Sequence, residues 1–193
     1  ILNARPDERQ TFGVITAVKG TGGGGKTTLA AAVVEELASK HKDRFDGSIR
    51  LVFSKRHDPA ARISDAIRQL EGSILGPQIS SVEEGMRLLI STAHTSQKRP
   101  VVFLDDVWTS RDVAPFLEAF HHCPVVITTR FAEVVDDIGA DTIPLDKYTP
   151  DQALEQLSDG LPRGAEDRLR NLARALRYWP LALSLANAFI RRK

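Results

Sequence analysis

Apolar residues in this chain fall into short unbroken runs, separated by longer stretches in which they recur every third or fourth position. The runs predict strands at Phe12–Val18, Ile49–Ser54, Val101–Asp105 and Val125–Thr129, with a weaker one at Thr142–Leu145. Strands this short and this apolar suit a parallel sheet buried on both faces. The stretches between them predict helices. Lys26–Lys40 carries Leu29, Val33 and Leu37 on one face. Asp58-Pro59 reads as an N-cap and a first-turn proline ahead of Ile63, Ile67 and Leu70, which face inward. Ser81 and Glu84 have capping-box spacing ahead of Met86, Leu89 and Ile90. Strands alternating with helices predict an α/β fold, a parallel sheet sandwiched by helices.

After Leu145 the pattern becomes helical throughout. Thr149-Pro150-Asp151-Gln152 has capping-box spacing, one helix carries Leu169, Leu172 and Leu176, and another starts near Pro180 with Leu181, Leu185 and Ala188. The change predicts a boundary near Asp146–Tyr148, dividing an α/β domain (1–147) from a small helical domain (148–193).

Composition narrows the function. Hydrophobic residues make up 42% and charged residues 26%, the profile of a globular chain. Lys plus Arg is 26 against 25 for Asp plus Glu, a balance that argues against binding nucleic acid through a broad basic surface. The single cysteine, Cys123, excludes an intrachain disulfide and fits a reducing, cytoplasmic setting. The longest apolar stretch, Leu181 to Ile190, is half the ~20 residues a membrane helix needs and is broken by Ser184 and Asn187. No membrane partner is expected. No secretory signal opens the chain, and its first residue is Ile1, which suggests a piece of a longer protein.

The strongest chemical signal is Gly20-Thr21-Gly22-Gly23-Gly24-Gly25-Lys26-Thr27-Thr28. It fits the phosphate-loop pattern, glycine, four residues, then Gly-Lys-Ser/Thr, between a predicted strand and a predicted helix. The glycines let successive N–H groups turn toward phosphate oxygens, and the helix N-terminus adds partial positive charge. Lys26 is expected to reach the β- and γ-phosphates, and the Thr27 hydroxyl to be a ligand of Mg²⁺. A chance match in a chain this long has a probability of roughly 0.01.

Two further strand ends carry candidate chemistry. Val101-Val102-Phe103-Leu104 ends in Asp105-Asp106. Beside a phosphate loop, Asp105 is expected to orient a water on Mg²⁺, and Asp106 to polarise the attacking water as a general base. The bland alternative is a strand stopped by turn-forming aspartates. Thr128-Thr129-Arg130 ends the next strand, where an arginine fork can meet a terminal phosphate. The guanine-reading Asn/Thr-Lys-x-Asp signature does not occur, so adenine is the expected base. His121-His122-Cys123 does not read as a metal site, because three adjacent residues cannot all point at one ion. Trp108 and Trp179 read as packing residues, and Arg191-Arg192-Lys193 as a basic helix end.

Taken together the motifs resemble the NB-ARC family, a branch of the STAND ATPases. The resemblance rests on 20–28, Phe45-Asp46-Gly47, Leu104-Asp105-Asp106-Val107-Trp108, Thr128-Thr129-Arg130 and Trp179-Pro180-Leu181-Ala182-Leu183, which occur in family order over nearly the whole chain. It implies a nucleotide-binding α/β domain followed by a first helical domain, with ATP or ADP and Mg²⁺ as cofactors. It implies that Pro180, with Leu181, contacts the adenine and that Arg130 senses the γ-phosphate. The implied behaviour is a switch in immune, cell-death or regulatory signalling: closed with ADP, open and homo-oligomeric with ATP, reset by slow hydrolysis. Its implied partners are the protein's own winged-helix, sensor-repeat and effector domains. Two departures stand out. The family glycine two residues before the proline is Tyr178 here, and the family's apolar-Gly-Arg-Glu segment is not recognisable in 1–10. A phosphotransfer enzyme such as a small-molecule kinase would need a basic substrate lid, which the sequence lacks. A scaffold holding ADP structurally would not need Lys26, Thr27, Asp105 and Asp106 intact.

Overall fold

A computed structural model describes residues 11–16, 23–145 and 147–192. The predicted extension of the first strand to Val18 and loop residues Gly20, Thr21 and Gly22 lie outside them. The elements in chain order are β1 (Thr11–Thr16), α1 (Lys26–Lys40), β2 (Ser48–Val52), α2 (Pro59–Glu71), α3 (Val82–Ser96), β3 (Val101–Val107), α4 (Ser110–Ala119), β4 (Val125–Thr129), α5 (Ala132–Ile138), β5 (Asp141–Leu145), α6 (Pro150–Ser158), α7 (Glu166–Ala175) and α8 (Pro180–Ile190).

The strands form one sheet in the order β2-β3-β4-β1-β5, and the β2–β3, β3–β4 and β4–β1 pairs are parallel. This is the α/β fold that the alternating pattern predicts. Inner strands β3 and β4 are covered: every residue of β4 and all of β3 except Asp106 is buried. Edge strand β2 alternates instead, with Ile49 and Leu51 buried and Ser48, Arg50 and Val52 exposed. An open strand edge invites unwanted pairing, and α2 side chains cover it. The Arg50 N–H donates to Gln69 Oε1 (2.8 Å), Gln69 Nε2 donates to the Arg50 carbonyl (2.9 Å), and Arg62 donates to the Val52 carbonyl (3.2 Å).

The chain divides into two units. One joins the described residues up to Ile15 with Thr27–Ile143; the other joins the segment ending at Lys26 with the chain from Pro144 onward. The first unit's main core packs Ile49, Leu51, Ile63, Ile67, Leu70, Leu89, Leu104, Phe116 and Ile127 together. Ile63, Ile67 and Leu70 face inward as their spacing predicts. Asp58 caps α2 by accepting from the Ala60 N–H, with Pro59 in the first turn. Ser81 accepts from the Glu84 N–H, while the Glu84 carboxylate returns to the Ser80 N–H rather than to Ser81 itself.

Helix α1 buries only Leu37 of the Leu29, Val33 and Leu37 stripe. Leu29 and Val33 are exposed, and Ala30, Val34 and Leu37 form its buried face against Phe45, Val101, Phe103 and Val126. The run is apolar nearly all round, so spacing alone admits two faces, and small Ala30 allows the closer approach.

In the second unit, Ala153, Leu157, Leu169, Ala173 and Leu183 make a small core. Thr149 and Gln152 form the reciprocal capping box their spacing predicts. Helix α8 buries Pro180, Leu183 and Asn187, whereas Leu181 and Leu185 are exposed. Asn187 explains that choice of face. Its amide donates to the carbonyls of Leu157 and Asp159 (both 2.9 Å), satisfying acceptors at the end of α6 that would otherwise be left bare.

Helix α7 ends in a Schellman-type turn. The Tyr178 N–H donates to the Ala173 carbonyl and the Arg177 N–H to the Arg174 carbonyl. Arg177 holds φ 53° and Tyr178 φ 58°, both in the left-handed region that glycine enters freely. Arg177 is exposed and spends no packing there. Arg177→Gly is therefore expected to stabilise the chain by about 1 kcal/mol, visible as a raised midpoint in urea unfolding. An unchanged or lowered midpoint would contradict the strain argument.

Candidate functional site

In the first unit, Asp105 is the hub of a polar cluster among buried strand ends. It is 4% exposed. Its Oδ1 accepts from the Thr27 hydroxyl at 2.7 Å and from the Thr128 hydroxyl at 2.6 Å. Its Oδ2 faces Arg50 Nη2 at 3.3 Å. Thr27 is the second residue of α1, Thr128 lies on β4 and Arg50 on β2, so three elements converge on one carboxylate.

Asp106 reaches the same place through an irregularity. Regular strand geometry sends successive side chains to opposite faces. Here the β3–β4 register shifts between Leu104 and Val107, and Asp106 takes φ 54°. Aspartate tolerates this left-handed conformation better than most residues, at a cost of order 1 kcal/mol. The Asp106 N–H then donates to Thr128 Oγ1 at 2.9 Å, so one threonine ties both aspartates to β4.

The Asp106 carboxylate meets Arg130. Arg130 Nε lies 3.3 Å from Asp106 Oδ1 but is not aimed for a hydrogen bond, so the contact is a Coulombic one. Trp108 Nε1 donates weakly to Asp106 Oδ2 at 3.4 Å. The Arg130 guanidinium stands 5.9 Å from the Trp108 ring centre, and that ring packs on Phe131 at 5.3 Å. Trp108 therefore does more than pack: it fixes Asp106 and backs Arg130. Thr129 donates to the Val107 carbonyl and accepts from the Phe131 N–H, securing the turn after β4.

The described part of the glycine loop belongs to the second unit. Gly23 has φ 87° and Gly25 φ 85°, conformations that call for glycine. A Cβ on Gly23 would also stand 2.7 Å from Leu181 Cδ2. The Leu181 N–H donates to the Gly23 carbonyl at 3.2 Å. One glycine of the loop is thus needed for its contact with the start of α8, beyond any phosphate. Gly24 is buried, and Lys26 is buried at the first position of α1, whose first turn holds no acidic residue. Thr28 is exposed on the same turn. Pro180 is buried as the first residue of α8.

The residues predicted from the sequence thus gather in two sets. Thr27, Asp105, Asp106 and Arg130 come together in the first unit; Gly23, Gly24, Gly25, Lys26, Pro180 and Leu181 lie in the second. Sequence reasoning missed Arg50 and the bridging role of Thr128. A signal for Arg50 exists: it is the one charged residue in Ile49-Arg50-Leu51-Val52-Phe53. Away from the cluster, burial pushes the Cys123 thiol up to about 11, which keeps it protonated at neutral pH.

The comparisons with known proteins bear on this geometry. The family model described as NB-ARC domain matches residues 3–161. The chain belongs to the NB-ARC domain family. Regulatory protein AfsR of Streptomyces griseus is 28% identical over 177 residues, a match covering 89% of this chain and 18% of AfsR. This NB-ARC domain therefore spans under a fifth of the relative's length. Among solved structures, a STAND protein with a tetratricopeptide repeat sensor from Pyrococcus horikoshii superposes with a TM-score of 0.59 at 16% identity, over 92% of this chain and 27% of that one. Cdc6p from Pyrobaculum aerophilum gives a TM-score of 0.70 at 19% identity, over 96% and 55%. At these identities the likeness shows the fold, that of a P-loop NTPase. The NB-ARC domain is accordingly a nucleotide-binding core, a class that generally takes its nucleotide with Mg²⁺.

The donor set fits that cation. The Thr27 hydroxyl and the Asp105 carboxylate bring hard oxygens within 2.7 Å of each other, the ligand chemistry Mg²⁺ takes alongside its retained waters. Among the described residues no helix is long and apolar enough to cross a membrane.

Proposed function

We propose that this NB-ARC domain is an ATP/ADP switch, closed with ADP, open and assembling with its own kind when ATP is bound, and reset by slow hydrolysis. The observation that carries the reading is the Asp106–Arg130 pair at the end of two parallel strands. An arginine held by one carboxylate at 36% side-chain exposure can be drawn off by a γ-phosphate, and ADP offers no such group. The same pair would then report which nucleotide is bound and release Asp106 to polarise a water.

In this reading Gly20–Thr28 wrap the phosphates, Lys26 contacts the β- and γ-oxygens, and Pro180 with Leu181 meets the adenine. Thr27 and, through a water, Asp105 would hold Mg²⁺, which would neutralise charge on the phosphates. The proposed division is a nucleotide-binding domain (1–147) and a first helical domain (148–193). The winged-helix, sensor and effector parts belong to the rest of the protein, in a cytoplasmic signalling or regulatory role. The AfsR relative is named a regulatory protein, which favours regulation over immunity or cell death.

The test is the nucleotide content of the purified chain, released by denaturation and separated by anion exchange. Stoichiometric ADP is expected. A chain that is empty and takes up neither added ADP nor ATP would refute the switch.

A further inference from the structure

Arg50 is the feature of the polar cluster that the nucleotide-binding role leaves unexplained. It sits mid-strand on β2, flanked by buried Ile49 and Leu51, and its side chain is half exposed. It does not extend into water. It lies across the Phe103 ring, 5.2 Å from the ring centre, and brings Nη2 to 3.3 Å from Asp105 Oδ2. The parallel register sets this reach: Arg50 stands opposite Phe103, and Asp105 is two residues further along β3 on the same face.

The two oxygens of Asp105 are therefore used differently. Oδ1 takes both hydroxyl donors, Thr27 and Thr128, at 2.7 and 2.6 Å. Oδ2 takes Arg50 Nη2, at 3.3 Å. A water on Mg²⁺ beside Thr27 would be received by this carboxylate, so a divalent cation and the guanidinium would share one negative charge. Like charges within a few ångströms disfavour each other. Arg50 can relieve the conflict by turning outward, losing its ion pair and its seat on Phe103.

We infer that Arg50 is a resident counter-cation of Asp105 that competes with Mg²⁺ for this carboxylate and so sets how strongly nucleotide binding depends on the metal. The inference rests on the nucleotide-binding reading of the site. While Arg50 occupies Oδ2, Asp105 is already neutralised, and a metal must displace the guanidinium before this carboxylate can receive its water. Displacement of Arg50 by the metal then costs about what a half-exposed ion pair is worth, a factor of about two to five in apparent Mg²⁺ affinity.

The experiment titrates MgCl₂ into the chain with a fluorescent ADP, starting from EDTA, for wild type, Arg50→Gln and Arg50→Lys. Arg50→Gln removes the charge and is expected to lower the half-saturating Mg²⁺ about two- to fivefold. Arg50→Lys keeps the charge and is expected to stay near wild type. Mn²⁺ binding to the ADP complex, followed by electron paramagnetic resonance, should give the same order. An Arg50→Gln chain with unchanged or greater Mg²⁺ demand overturns the inference, as does a Lys variant that shifts as far as Gln. Failure of every variant, wild type included, to bind the fluorescent ADP at any Mg²⁺ level overturns the nucleotide reading and this inference together. Normal ADP binding with identical metal dependence overturns the inference alone.

Discussion

Lys26→Ala is expected to weaken ADP and ATP binding by at least ~100-fold. Lys26 is a buried ammonium at the start of a helix, directly after Gly25 with its positive φ, where a phosphate group would meet it. Its contacts to two phosphate groups would each be charge-assisted, worth roughly 1.5–3 kcal/mol. Two such contacts correspond to a factor of about 10²–10⁴ in affinity. Alanine is a better helix former than lysine, so α1 should persist. Calorimetric titration with ADP checks the prediction. An affinity within about threefold of wild type would remove Lys26 from the site.

The second large effect separates binding from turnover. Asp106→Asn is expected to keep ATP binding and to slow hydrolysis by about 10²–10³-fold, the scale of a general base. Asparagine is the informative replacement because position 106 has φ 54°, which Asn accepts with little strain and Ala does not. The amide oxygen can still accept from Trp108 Nε1, so the bulge should survive. What is lost is the carboxylate that faces Arg130 and would polarise water. Single-turnover hydrolysis of pre-bound ATP measures the rate free of exchange. A rate within a few-fold of wild type would mean that Asp106 only holds Arg130 in place.

Much of this protein is legible in its sequence alone. The parallel α/β sheet followed from apolar runs alternating with helical spacing. The caps at Asp58, Ser81 and Thr149 followed from residue types two or three positions apart. The short helices α4 and α5 left no clear periodic trace. They are ten and seven residues long, and α4 has Pro115 inside it. The buried faces of α1 and α8 could not be picked out from spacing, for one shared reason. Both helices are apolar around most of their circumference, and the buried sides, Ala30, Val34 and Leu37 in α1 and Pro180, Leu183 and Asn187 in α8, include a small and a polar residue that a search for large apolar side chains passes over.

The candidate site divides in the same way. The glycine loop, the paired aspartates and the strand-end arginine are local strings, because each is complete within a turn or a strand end. Their residue types alone announce phosphate, cation and charge. The grouping of Thr27 with Asp105, 78 positions apart, of Asp105 with Thr128, and of Arg50 with Asp105 depends on which strands lie side by side. The order β2-β3-β4-β1-β5 is set by packing of whole elements, and the bulge at Asp106 appears only once β3 is paired with β4. Chain-local patterns are fixed by a residue and its near neighbours, so they survive in one dimension. Contacts between strands far apart in sequence are fixed by the fold's buried surface and backbone pairing, and these exist only in three.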